Sequence, residues 1–133
     1  MIRIRLVGGG DCELVHDTTG VALRTSKSAA FGGTGASFSS TDLLAAALGS
    51  CIATDLEPVA ARNGVPPESV RIEVEKVLSL KPKRIESIDV RVTLPPGTPE
   101  LVATKLERAA DHCLVHRALH PDLDVRIRFG IAV

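Results

Sequence analysis

Apolar and polar residues alternate along three stretches of this chain, and clear turn signals separate them. Near the start, Ile2, Ile4 and Leu6 alternate with Arg3 and Arg5, which predicts a half-buried strand over residues 2–7. Gly8-Gly9-Gly10 marks a turn, and residues 12–16 and 20–25 predict two short strands joined at Asp17-Thr18-Thr19-Gly20. In the middle, Val70, Ile72 and Val74 alternate with Arg71, Glu73 and Glu75. Beyond Lys81-Pro82-Lys83-Arg84 the alternation resumes as Ile88, Val90, Val92 and Leu94 against Asp89, Arg91 and Thr93. This predicts a hairpin of residues 69–80 and 84–94. At the end, Leu123, Val125, Ile127, Phe129 and Ile131 alternate with Asp124, Arg126 and Arg128 as a final strand.

Two segments follow a helical pattern instead. Residues 43–53 are apolar or small on every side, so the helix predicted over 41–63 has no solvent face and belongs in the middle of the protein. Ser39-Ser40-Thr41-Asp42 offers N-cap residues, Asn63-Gly64 ends the helix, and Pro58 predicts a kink near Asp55–Pro58. The second helix starts after Thr98-Pro99, with an apolar stripe of Val102, Leu106, Ala109 and Cys113. Strands, helix, hairpin, helix, strand is the order of an α+β domain with antiparallel sheets packed on two main helices. At 133 residues the whole chain, 1–133, reads as one domain.

Composition narrows the function. Sixteen Lys and Arg balance sixteen Asp and Glu, which points away from nucleic acid. Tyr and Trp are absent and Phe occurs three times, so base-stacking platforms are also unexpected. The longest apolar run is about half of the ~20 residues a membrane span requires, so no membrane partner is expected. The alternating N-terminus lacks a signal-peptide core, and three cysteines are an odd number. Together these predict a reducing, cytoplasmic setting without an obligatory disulfide framework. The loop Gly32-Gly33-Thr34-Gly35 lacks the Gly-Lys-Ser/Thr ending of a phosphate-binding loop, and no cofactor is expected.

The chemistry then rests on sulfur. Cys51 lies inside the apolar helix and Cys113 on the apolar side of the second, each near ionisable groups. A thiol attacks only as thiolate, and burial in apolar surroundings raises its pKa. Cys51 is ~15 Å from the start of its helix, too far for the helix dipole to help. A reactive Cys51 therefore needs a cation from elsewhere, and Arg24, just before the glycine loop, can supply a guanidinium that stays charged when buried. Asp42 offers that arginine a carboxylate. Nine residues before Cys51, it lies ~13 Å away on one straight helix and about 180° around it, so sharing a site would require a partner chain's helix. The small residues Ala45, Ala46, Gly49 and Ala53 suit close helix packing in such a homodimer. Cys12, on a short strand, reads as structural or incidental.

The segment Phe38-Ser39-Ser40-Thr41-Asp42-Leu43-Leu44-Ala45-Ala46-Ala47-Leu48-Gly49-Ser50-Cys51 resembles the signature of the OsmC/Ohr family. Cys113-Leu114-Val115-His116-Arg117 resembles the second family motif, and the glycine loop and order of elements also match. The resemblance implies an OsmC-like, intertwined α+β homodimer with sites at the subunit interface, acting as a thiol-dependent peroxidase on organic hydroperoxides. It implies that Cys51 is the peroxidatic cysteine and Cys113 the resolving one, with Arg24 and Asp42 activating the thiolate. A dithiol such as a lipoyl group would re-reduce the disulfide. The hydroperoxide-resistance branch has glutamate ten residues before its cysteine, where this chain has Thr41; other branches place the acid nine before, which fits Asp42. The proline that often follows the second cysteine is Leu114 here.

Two other readings stay open. His112, His116 and His120 recur every four residues beside Cys113, a spacing that on one helix would suit zinc, although Pro121 disfavours helix there. Alternatively, the apolar helix and aliphatic strands line a pocket for a small molecule or acyl chain, and the cysteines merely pack.

Overall fold

A computed structural model describes all residues, Met1–Val133, which form two units, Met1–Leu44 and Ala45–Val133. In the first unit the N-terminal alternation becomes a three-stranded antiparallel sheet of β1 (Ile2–Gly8), β2 (Asp11–His16) and β3 (Ala22–Thr25), in that spatial order. The alternation is present but unburied. Ile2, Ile4 and Leu6 are 63%, 64% and 81% exposed, because three strands have no second layer within this unit.

The glycine loop after β3 folds back on Lys27, whose N–H bonds the Gly10 carbonyl and whose carbonyl receives Gly35 N–H. Gly33 is required here: a Cβ on it would stand 2.0 Å from the Lys27 carbonyl oxygen, which is backbone and cannot step aside. The loop closes with Ser26 N–H on the Phe38 carbonyl.

α1 (Ser40–Arg62) opens with a reciprocal cap. The Asp42 N–H donates to Ser39 Oγ at 3.1 Å, while Asp42 Oδ2 accepts from the Ser39 N–H at 2.8 Å and from its hydroxyl at 2.9 Å. The helix assignment then runs on through Pro58, near which a kink was expected. A proline in a helix removes a single N–H, and the flanking turns hold.

In the second unit α1 packs on a sheet of β4 (Arg71–Leu80), β5 (Lys83–Leu94) and β6 (Asp124–Ile131), with β5 central. β4 and β5 are the expected hairpin, pairing Ile72 with Val92 and Val74 with Val90. β6 corrects the all-antiparallel expectation: it joins β5 in parallel, setting Ile127 beside Val90 and Phe129 beside Val92. A parallel neighbour needs a crossover, and α2 (Glu100–Ala110) and α3 (Leu114–Ala118) provide it.

The core gathers Leu48, Ile52, Leu56 and Ala60 from α1, Ile88, Val90, Val92 and Leu94 from β5, and Val102, Leu106 and Ala110 from α2. Burying each of the larger side chains contributes about 1.5–3 kcal/mol. Gly49 lets helix and strand meet, since a Cβ there would lie 2.7 Å from Val74 Cγ2.

The composition of α1 is apolar all round, and an 18-residue window within its 23 residues reaches a mean hydropathy of 1.4, which by length and composition alone would suit a membrane span. In this chain only one stripe is buried, while Ala46, Ala47, Ser50, Ala53 and Thr54 face outward.

Candidate functional site

The second unit brings Cys51 and Cys113 together, and it adds a group that sequence reasoning missed. Cys51 is half-buried in the middle of α1, against the core, and Cys113 is fully buried. Asp55 follows Cys51 by one helical turn, so both point to the same side of α1. The two sulfurs and a carboxylate oxygen of Asp55 lie within 4.8 Å of one another. Asp55 Oδ2 is buried and has no hydrogen-bond partner. The signal for Asp55 was present as Cys-x3-Asp on a helix, but only the tertiary position of Cys113 gives that spacing a meaning.

Cys113 is not on the α2 stripe as expected. α2 ends at Ala110, which takes the buried position expected of Ala109, and the backbone leaves the helix at Cys113 (φ −57°, ψ 115°). Cys113 instead caps α3, its sulfur accepting the His116 N–H at 3.4 Å. Burial pushes its thiol pKa up; the His116 N–H pulls it back, and the hydrogen bond with Cys51 adds to the rise. The same break removes the histidine spacing. His112 falls in the turn after α2, His116 within α3 and His120 beyond it, and no histidine joins the cluster of donor atoms. All three cysteines are free thiols, and Cys12 sits half-buried on β2 between Leu6 and Thr25.

Arg24 and Asp42 belong to the first unit. Arg24 finds a carboxylate in Asp11: its Nε donates to Asp11 Oδ2 at 3.2 Å, and one terminal nitrogen lies 3.1 Å from the same oxygen. The strand register explains this choice. Arg24 stands opposite Glu13, and Asp11 is the diagonal neighbour two residues earlier on the same face. Asp42 turns Oδ2 to the cap described above. An open apolar groove of about 410 Å³ runs beside α1 along Leu56, Ala60, Val70 and Ile72, and neither cysteine lines it.

The family model for OsmC-like proteins matches residues 33–128. The chain belongs to the OsmC-like family. Among curated proteins no relative matches it. Solved structures share the OsmC-like fold at low identity. A Psychrobacter arcticus protein described as an osmotic stress induced and detoxification response protein is 23% identical, with TM-score 0.89 over 97% of this chain and 94% of that one. The OsmC organic hydroperoxide resistance protein of Legionella pneumophila is 20% identical, with TM-score 0.72 over 100% and 97%. The organic hydroperoxide resistance protein OhrB of Bacillus subtilis is 20% identical, with TM-score 0.66 over 98% of each chain. For this OsmC-like protein, the likeness establishes the α+β fold, and the chemistry has to be argued from the thiols.

Proposed function

We propose that this OsmC-like protein is a thiol peroxidase that reduces organic hydroperoxides through Cys51 and Cys113. The carrying observation is that two cysteines 62 residues apart in sequence meet in one cluster, one half-buried and one fully buried. The more accessible Cys51 takes oxygen from the hydroperoxide, which leaves as an alcohol, and becomes a sulfenic acid. Cys113 then condenses with it to give a disulfide and water. A dithiol reductant, a lipoyl group by family resemblance, restores both thiols in a reducing, cytoplasmic setting. Arg24 and Asp42 activate the Cys51 thiolate in this reading, as the resemblance assigns them. The resemblance also makes the working form a homodimer, which sedimentation at micromolar concentration would register as twice the chain mass.

Replacement of the two cysteines tests the assignment. Cys51→Ser abolishes hydroperoxide consumption with a dithiol reductant, while Cys113→Ser, assayed without reductant, still consumes one equivalent and leaves a sulfenic acid that a dimedone-type reagent traps. Full turnover by Cys51→Ser would refute the reading. In the wild type, cumene hydroperoxide is turned over with higher kcat/KM than hydrogen peroxide, since each buried methylene of substrate is worth about 0.8 kcal/mol.

A further inference from the structure

Asp55 has no part in the scheme above, yet it holds a costly position. A buried oxygen without a hydrogen-bond partner costs on the order of 1–3 kcal/mol. Such groups in native structures call for an explanation, and a catalytic role is one of the recurrent ones. Here the explanation lies next to it. Cys113 is fully buried, and its pKa is raised, so at neutral pH it carries a proton that it must lose before it can attack. A carboxylate oxygen of Asp55 lies within 4.8 Å of both sulfurs, a gap that a small side-chain adjustment or a single bridging water closes.

We propose that Asp55 is the proton acceptor for Cys113 whenever Cys113 attacks a Cys51 sulfur that bears a leaving group. Applied to a sulfenic acid, this rests on the peroxidase reading. The Cys113 S–H bond and the Cys51 S–O bond break, and the Cys51–Cys113 S–S bond forms. Asp55 takes the Cys113 proton and returns it to the departing hydroxide, which leaves as water. The hydroperoxide, already reduced to alcohol, is the oxidant for the whole sequence. Applied to a mixed disulfide on Cys51, the S–S bond to the small group breaks and the same proton leaves on its thiol. Proximity to both sulfurs is what allows one carboxylate to collect the proton at one atom and deliver it at the other.

The mixed disulfide gives a test that needs no peroxide. In a Cys12→Ser background, methyl methanethiosulfonate at pH 5 places a methylthio group on Cys51, located by mass spectrometry. A jump to higher pH then starts the attack by Cys113, followed as loss of the methylthio mass. Asp55→Asn keeps the size and polarity of the side chain and removes the base. Its release rate at pH 7 should fall on the order of a hundredfold. It should also rise about tenfold per pH unit as hydroxide takes over, against a shallower wild-type profile. Asp55→Glu should recover part of the rate. His112 and His116, which flank Cys113 along the chain, are present in every variant, so the comparison isolates Asp55. Equal rates and equal pH slopes for wild type and Asp55→Asn would overturn the proposal, as would a wild-type methylthio group that Cys113 never displaces. Asp55-dependent release without hydroperoxide turnover would sink the peroxidase reading and leave this one standing. Turnover with an Asp55-independent condensation would do the reverse.

Discussion

Each unit of the molecule turns one carboxylate oxygen inward without a partner, and the surroundings of the two differ. In Met1–Leu44, Asp11 leaves Oδ1 unpartnered but brings Oδ2 to the guanidinium of Arg24. In Ala45–Val133, Asp55 leaves Oδ2 unpartnered and has two thiols for neighbours, which are themselves acids. Asp11 has its charge compensated by the Arg24 guanidinium across the β2–β3 pair. The first carboxylate is compensated by a cation, and the second stands beside two sulfurs. A buried polar oxygen left without a partner calls for an explanation.

Breaking the ion pair should give the larger effect on stability. Arg24→Gln leaves the buried Asp11 carboxylate without its cation. The Arg24 side chain is 61% exposed, so water takes over part of its role, and the loss should be about 1 kcal/mol rather than the larger cost of a fully buried pair. It should appear as a lower urea midpoint with an unchanged slope. The matching change in the other unit should cost less. Asp55→Asn removes a group with no cation to lose, and its unfolding free energy should stay within about 0.5 kcal/mol of wild type or rise, even as the thiol exchange slows. An Asp55→Asn protein destabilised more than Arg24→Gln would mean that Asp55 is a structural residue and that the contrast between the two carboxylates is false.

The two units also differed in how much of them the sequence disclosed. The strands, the helices, the hairpin and their order were legible because alternation of period two and the Ser39–Asp42 cap are local signals. The parallel docking of β6 was not, since the alternation of a strand carries no direction. The end of α2 at Ala110 was hidden because Val102, Leu106 and Cys113 keep helical spacing across a break made by the backbone at Cys113. That break also dissolved the histidine row. For the site, the cysteine pairing was legible only through family resemblance. Asp55 was invisible because its neighbour Cys113 is 58 residues away, and Asp11 was passed over as the partner of Arg24 because strand register is not written in composition. Within one chain the Ala46, Ala47 and Ala53 side of α1 is exposed, and composition alone does not say how much of a helix one chain can cover.

The smallest expected effect reads the thiol half of the comparison directly. Cys113 has its pKa raised in the folded protein, burial being the chief cause, above the ordinary thiol value of 9.0. The folded state therefore holds the Cys113 proton at pH values where the unfolded chain has released it, and stability falls wherever the folded state binds more protons. The contribution is fully present below pH 9.0 and is lost as pH rises from there through the folded value. Wild type should lose urea stability on passing from pH 8 to pH 10.5, and Cys113→Ser, which has no proton to release in that range, should lose measurably less. Both measurements need a reductant, so that no disulfide forms, and the Arg24–Asp11 pair serves as the internal control. Arg24→Gln should lower the midpoint equally at both pH values, because the guanidinium stays charged throughout. If Cys113→Ser and wild type decline in parallel, the Cys113 thiol is not held in its protonated form by the fold, and the need for a base beside it disappears.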